Sequence, residues 1–595
     1  MRRITYIFLS AALVLSSCID EVDSSVNPIT YGDGYMEVYL STDKAAYIPG
    51  EEVKIKLNKM VEGNATVRYR HLNQVIEETP LTSNEWSWNP PTDDYKGYMV
   101  DIYTIENGVE VIKGSIAIDV SSDPKMFPRN GFLSEYGKMS ESEINRVMDN
   151  LNRHHINYVQ YQDWHYKHHM PLAGSVSAPM EVWKDIINRD CYRTTVDGYI
   201  KAGHERNMKS LFYNLAYGAL SDAEEDGVNE EWYMFKDDNR GTIDAHILGS
   251  PFKSSIYLTN PANDGWIDYI GQKTSDVYDV YDFDGYQIDQ LGGRGTLYDY
   301  HGDVIDYESG FTKFIKAMKS REPEKRLVMN AVGGFGGQKI ADSESTDFFY
   351  VEVWDKPTDR GFEVISNTIT GQDNLNKNGG RKTILAAYMN YDFGKIGRSY
   401  FNTPGVLMAN AAIHAWGGAH LELGEHMLCN EYFPNSNLTM SGELKKSMIT
   451  FYDFITAYEN LLRDGGNDWT GVDAVSLTGE INFNQWPPQK GNVATVGKNL
   501  DDGKTSVVHL LNYTNAIHLD WCDTNADQQE QDLIENKEIE LSIDGRSGTI
   551  KSVWCASPDF DFGVPRTLEF TQNSDKIKLT LPALKYWTMI VVEYE

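Results

Sequence analysis

Between residues 123 and 464, short apolar runs alternate with amphipathic stretches, and this alternation restricts the fold more than any other feature of the chain. Parallel strands need a crossover between them, and a helix is the usual one. Eight strands are expected, over 156–164, 210–218, 254–261, 284–289, 327–334, 347–354, 383–390 and 418–425. Amphipathic patterns over 141–153, 264–277, 311–318 and 404–415 are among the helices that separate them. Eight strand–helix units over about 340 residues predict a (β/α)8 barrel with long loops.

On both sides of this region the pattern shifts to short alternating runs. Residues 34–122 contain MEVYLST, EEVKIKL, ATVRYRH, GYMVDIYTI and GSIAIDV, separated by turn signals such as Pro49-Gly50 and Pro90-Pro91. They predict an antiparallel sandwich of immunoglobulin-like size, serving as a spacer or packing module. Residues 465–595 return to short strands and predict a second β-sandwich. The expected architecture is therefore multidomain, a central TIM barrel flanked by an N-terminal immunoglobulin-like β-sandwich and a C-terminal β-sandwich.

The N-terminus reads as a processing signal. Arg2 and Arg3 precede an apolar run from Ile4 to Leu15 that is too short to span a bilayer. Leu15-Ser16-Ser17-Cys18 resembles the lipobox of bacterial lipoproteins, with cleavage after residue 17 and lipid attached to Cys18. The acidic residues that follow, within Ile19 to Asp23, are similar to the surface-export signals of lipoproteins in the Bacteroides group. The expectation is a signal peptide over 1–17, a tether over 18–33 and an outer-membrane lipoprotein facing the cell surface, with a periplasmic location as the alternative. The net charge of −33 repels nucleic acid and anionic surfaces but leaves a neutral substrate compatible. A monomer is expected. Cys191, Cys429, Cys522 and Cys555 form no CxxC pair, so neither a zinc motif nor a dense disulfide framework is expected. Isolated buried thiols are the expectation, with a Cys522–Cys555 bond as the alternative.

Catalytic groups of such barrels sit at the C-terminal ends of the strands. Those ends present Asp163, Tyr217, Asn260, Asp289, Asn330, Glu352, Tyr388 and Glu422, a polar ring with four carboxylates and no lysine. It does not suit a phosphate or a Schiff base; it suits a polyhydroxylated substrate and an oxocarbenium-like transition state. In the stretch FDGYQIDQLGGRG, alternation places Gln287 and Asp289 on one face and Tyr286 and Ile288 on the other. Asp289 on strand four and Glu352 on strand six can share one layer of the barrel, as the two carboxylates of a glycosidase must. Which of them attacks and which protonates stays open at this level.

Other clusters carry less. His165, His168 and His169 have no companion ligands for zinc, and sugar contacts or packing suit them better. The stretch from Asp523 to Asp527 begins like an EF-hand loop but lacks its later glycine and glutamate. The acidic loop from Asp222 to Asp226 reads as solvated. No cofactor or metal is expected; calcium, which the 222–226 loop could bind, is the alternative, and no motif supports it.

The segments YQDWHYKHHMPL, FYNLAYGA, FDGYQIDQLG, FYVEVW and GGAHLELGEHMLCNEYFPN look like those of glycoside hydrolase family sixty-six, across residues 125–465. That resemblance implies retaining hydrolysis of α-1,6-linked glucan, with Asp289 as nucleophile and Glu352 as acid/base. The substrate implied is dextran or its isomaltooligosaccharides, bound by Asp163, His168, Asn214, Tyr217, Trp354 and Glu422. The family's cyclising members, the cycloisomaltooligosaccharide glucanotransferases, carry a carbohydrate-binding insertion late in the barrel. Residues 391–418 leave no room for one here, so simple endo-hydrolysis is expected, with the glucanotransferase as the alternative. A non-catalytic glycan-binding lipoprotein is the alternative of another class; it predicts loss of one strand-end acid, yet both are present.

Overall fold

The computed structural model describes residues 36–356, 360–376 and 380–595. The expected signal peptide, Cys18 and the tether lie outside the described residues. Eight parallel strands form one sheet in sequence order: β1 (Asn130–Leu133), β2 (Tyr158–Tyr161), β3 (Lys209–Leu215), β4 (Gly285–Asp289), β5 (Arg326–Val332), β6 (Phe349–Val353), β7 (Thr383–Ala387) and β8 (Ala419–His420). Phe132 N donates to Leu423 O at 3.0 Å, bringing the first strand against the chain just after the last. The result is a nearly closed barrel, as the alternation of strand and helix predicts.

Two expected strands differ. Residues 254–261 do not enter the barrel: Ile256–Tyr257 pairs antiparallel with Ala245–His246 inside the long loop after β3. The true first strand, β1, is the short segment NGFL, which has too few residues to show a period. One strand lost and one gained cancel, so Asp289 and Glu352 still end β4 and lie within β6.

The helices lie outside the barrel: α1 (Glu141–Arg153), α2 (Arg193–Glu205), α3 (Asp264–Tyr278), α4 (Tyr307–Arg321), α5 (Gly337–Ala341), α6 (Glu363–Leu375), α7 (Thr403–Ala415) and α8 (Gly442–Ala457). α1 starts where Ser140 and Glu143 form a reciprocal capping box. α7 is buried almost all round, because the C-terminal region packs on its outer side. In β4, Tyr286 and Ile288 join the core shared with the helices, while Gln287 and Asp289 face the barrel's interior cavity. Gly285 is required where it stands, since a Cβ there would lie 2.3 Å from Arg326 O. Phe132, Tyr158, Leu211, Val328, Tyr350 and Ile384 fill the barrel beneath the cavity.

Before the barrel, a three-stranded sheet (Leu40–Thr42, Val53–Leu57, Glu85–Trp88) and a four-stranded sheet (Ala65–His71, Gln74–Pro80, Lys96–Glu106, Val109–Val120) share one core. After it, a seven-stranded and a four-stranded sheet share another, with Val508, Leu510 and Val592 opposite Leu541 and Leu579. The N-terminal sheets are tied to the barrel through α8. Asp453 accepts from Ala117 N at 3.0 Å, from both terminal nitrogens of Arg153 at 2.9 and 2.8 Å, and meets His155 Nε2 at 2.8 Å. Arg129 joins Asp119 to Glu459 in the same buried seam. Cys191, Cys429, Cys522 and Cys555 are buried free thiols, so Cys522 and Cys555 do not pair. Among the described residues no helix is long and apolar enough to cross a membrane.

Candidate active site

A cavity of about 580 Å³ opens at the C-terminal ends of the strands. Its floor is polar: Gln160 and Gln162 from β2 and its end, Tyr213 from β3, Gln287 and Asp289 from β4, Asn330 from β5, Tyr350 and Glu352 from β6, and Tyr388 just past β7. Its walls are loops, with His246, Leu248 and Phe252 from the long excursion after β3, and Tyr432 and Phe433 from the loop after β8.

Asp289 accepts three hydrogen bonds: from Tyr213 Oη at 2.7 Å, from Asn330 Nδ2 at 2.9 Å and from the backbone N of Gln290 at 2.8 Å. Burial raises its pKa above the ordinary carboxylate value, and the three donors oppose that rise. Glu352 accepts from Tyr388 Oη at 2.5 Å and from the same Asn330 Nδ2 at 3.3 Å. Burial, with the charge of Asp289 added, pushes Glu352 up to about 7. Asp289 has three donors to its charged form, and its charge adds to burial in holding Glu352 up. Because both bond to one nitrogen, their nearest oxygens are at most about 6 Å apart. Burial and the adjoining carboxylates keep the Tyr213 and Tyr388 hydroxyls protonated, and so available as donors.

Among the other expected site residues, Asp163, His168 and Trp354 line the cavity. Asp163 follows β2, in left-handed backbone with φ of 52°, and burial pushes its carboxyl up to about 7, with Arg189 opposing and Asp185 and Asp289 adding. Burial lowers His168 to about 4, so its imidazole is neutral. Its Nδ1 lies 3.0 Å from Asn214 Oδ1, an acceptor, so Nδ1 carries the hydrogen. Nε2 is then a lone-pair acceptor, and it has no partner within the protein.

Asn214, Tyr217 and Glu422 are not among the cavity's lining. Asn214 stands behind His168 and also donates to that residue's carbonyl at 2.8 Å. Tyr217 lies beyond the end of β3, where its ring stacks on Phe311 at 5.9 Å and its hydroxyl accepts from Leu291 N at 3.0 Å. Glu422 points between α7 and α8, where it accepts from Asn410 at 3.0 Å and Tyr452 at 3.0 Å and meets His420 at 3.2 Å. Asn260, from the displaced segment, caps the turn before α3 through Ala262 N.

Sequence reading placed Gln287 inward with Asp289 but missed Gln160 and Gln162 on the floor, and Tyr213, the donor to Asp289. The signal for Tyr213 was there too: it is the registered partner of Gln287 on β3.

Two groups bring metal-type donors within 4.8 Å of one another: His169, Asp222 and Asp226, and His518, Asp523 and Asp527. In the first, the Lys167 ammonium sits 2.7 Å from Asp222 and 2.6 Å from Asp226 and supplies the positive charge itself. In the second, bonding to Asp523 raises the His518 pKa against burial, and His518 bridges both carboxylates at 3.2 and 3.1 Å.

The cycloisomaltooligosaccharide glucanotransferase of Niallia circulans is 25% identical over 752 positions, covering 98% of this chain and 75% of that protein. A dextranase of Streptococcus salivarius is 24% identical over 579 positions, covering 86% of this chain and 68% of its own length. A crystal structure of a Paenibacillus sp. cycloisomaltooligosaccharide glucanotransferase complexed with cycloisomaltoheptaose has the same fold, with a TM-score of 0.83 at 24% identity over 93% of this chain and 99% of that one. The model of glycosyl hydrolase family 66 matches residues 42–591. Nearly the whole chain is thus covered, and the protein is a glycoside hydrolase that belongs to glycosyl hydrolase family 66.

Proposed function

We propose that the protein is an endo-acting, retaining hydrolase of α-1,6-linked glucan, with Asp289 as nucleophile and Glu352 as acid/base. The observation that carries this reading is the shared Asn330 donor, which limits the gap between nearest carboxyl oxygens to about 6 Å. Retaining pairs sit about 5–5.5 Å apart and inverting pairs about 6.5–9.5 Å apart, with a water between them. Glu352, protonated near neutral pH, gives its proton to the leaving glycosidic oxygen as Asp289 attacks the anomeric carbon. The C–O bond breaks, a glycosyl ester forms, and Glu352 is left ionised. It then takes a proton from water, which attacks the same carbon and releases Asp289. Asp163, His168 and Trp354 hold hydroxyls or stack on a ring at the cavity wall.

The linkage is drawn from relatives named dextranase and cycloisomaltooligosaccharide glucanotransferase. The cyclising reaction is the second reading, favoured by the higher coverage of this chain in the glucanotransferase comparison, 98% against 86%. Against it, that alignment spans 752 positions, more than the 595 residues of this chain, so the relative carries segments this protein lacks. Residues 391–418 are spent on a short loop and α7. Digestion of dextran separates the readings. New reducing ends, first as the α-anomer, and linear isomaltooligosaccharides support hydrolysis. Cyclic products without new reducing ends support transfer. Binding without any product would mean a non-catalytic glycan-binding protein.

We further read the flanking sheet pairs as β-sandwiches, over 34–122 and 465–595, around a barrel over 123–464, in a monomer. Residues 1–17 act as a lipoprotein signal, and Cys18 carries the lipid that tethers the enzyme at the outer membrane. Labelled palmitate should enter the wild-type protein and not Cys18→Ala; equal labelling of both would refute the anchor.

A further inference from the structure

One loop of the C-terminal region returns to the catalytic end of the barrel and touches the segments on both sides of Glu352. On the β6 side, Trp521 N donates to Arg360 O at 2.9 Å, and the Arg360 guanidinium bonds Asp355 at 2.9 Å. Asp355 follows Trp354, three residues past Glu352. On the β7 side the contact is Asn390, fully buried in left-handed backbone with φ of 54°. Its N donates to Cys522 O at 2.8 Å, and its Nδ2 donates to Asp523 O at 2.7 Å and to Asp523 Oδ2 at 3.2 Å. Its Oδ1 accepts from Asn402 N at 2.9 Å, and Phe393 N donates to Thr524 O at 2.9 Å. Two residues before Asn390 stands Tyr388, the donor to Glu352.

The loop is itself stiff. Asp523 is 1% exposed, and its Oδ1 accepts from the backbone N of Asp527 at 3.0 Å and of Gln528 at 3.1 Å. It packs directly on the first turn of α7, where a Cβ on Gly405 would lie 2.3 Å from Asp523 Oδ2. Asn402, the N-cap of α7, donates to Ala526 O and Gln528 O at 3.1 Å each. None of these groups is among the cavity's lining.

We propose that the 518–528 loop positions the acid/base: Asp523, acting through Asn390, sets where Tyr388 holds Glu352. The proposal rests on the reading of Glu352 as acid/base. It gives the C-terminal region a part in the reaction, although that region contributes no side chain to the cavity lining.

Asp523→Asn keeps the shape but turns an amide nitrogen toward the Asn390 amide; Asn390→Gly keeps the left-handed backbone accessible and removes the amide. In the full-length protein each should lower kcat about 10- to 100-fold with KM changed less than about twofold, as expected for a misplaced catalytic group. Each should also move the alkaline limb of kcat/KM to higher pH, because the bond from Tyr388 favours ionised Glu352. Tyr388→Phe should displace that limb alone, and adding Asp523→Asn to it should displace it no further. Unchanged kcat and limb in folded Asp523→Asn or Asn390→Gly, with only a lower Tm, would overturn the proposal, as would additive shifts in the double variant. Glu352→Gln is run beside them. Wild-type turnover there refutes the acid/base reading itself, whereas an inactive Glu352→Gln beside an unaffected Asp523→Asn refutes only the role of the loop.

Discussion

Asp289 and Glu352 are bonded to a single amide nitrogen, that of Asn330 on the strand between theirs. This bond lowers the pKa of both carboxyls. Asn330→Ala should therefore raise both, moving the acid and alkaline limbs of kcat/KM upward in pH together. Hydrogen bonds to charged groups are worth about 1.5–3 kcal/mol, so kcat should fall roughly 10²-fold. A pH–rate series of the variant checks this; limbs left where they were would mean that Asn330 does not couple the pair.

The wild-type profile should be bell-shaped. Activity requires Asp289 ionised and Glu352 protonated, and Glu352 is pushed up to about 7 by burial and by the charge of Asp289. kcat/KM should therefore fall as pH rises through about 7. The acid limb should lie above the ordinary Asp value of about 3.9, since burial raises Asp289. Both apparent values belong to the pair and not to either residue alone. Activity that stays level to pH 9 would remove Glu352 from the acid's role.

The sequence was most legible where a period repeats over many residues. The strand–helix alternation predicted the barrel, and the two-residue alternation in β4 placed Gln287 and Asp289 inward. It failed where a strand is too short to show a period, as in β1, and where a loop contains a strand of its own, as at Ile256–Tyr257. Side-chain direction past a strand's end was also beyond reach. Tyr217 and Glu422 follow β3 and β8 by two residues each, and the chain has already turned there. The hold of the C-terminal loop on Asn390 joins residues 133 apart in the chain, and no local pattern announces such a contact.

Glu422 and Trp354 should accordingly behave differently when changed. Glu422 lies outside the cavity lining, buried against His420; burial opposes the imidazolium, but Glu422 and the Ala387 carbonyl together outweigh it. Breaking a buried pair from one side costs about 3–5 kcal/mol, so Glu422→Gln should lower Tm markedly with KM of the folded enzyme unchanged. Trp354 lines the same cavity as Glu352, two residues away in the chain, so Trp354→Ala should lower kcat/KM by tenfold or more, about 1.4 kcal/mol, with a smaller effect on Tm. Thermal melts and steady-state kinetics of both variants check the contrast. A raised KM in Glu422→Gln would return that residue to the substrate.

The raised pKa of Glu352 also has a consequence for stability. A carboxyl whose folded pKa is raised to about 7 holds its proton in the folded state after the unfolded chain has released it. Between the unfolded value of about 4.3 and about 7, the folded state therefore binds more protons than the unfolded one, and stability falls with rising pH. The favourable contribution is complete below about 4.3 and is lost as pH rises through about 7; the accumulated loss is roughly 4 kcal/mol. Glu352→Gln removes this titration, since a neutral amide stays uncharged at every pH. The inactive variant should thus gain stability relative to wild type as pH rises from 5 to 8, whatever its offset at pH 5. Tm differences measured at both values check the sign. A difference that does not change between them would show that Glu352 titrates near its ordinary value, and the same result would deprive the proposed acid of its proton at neutral pH.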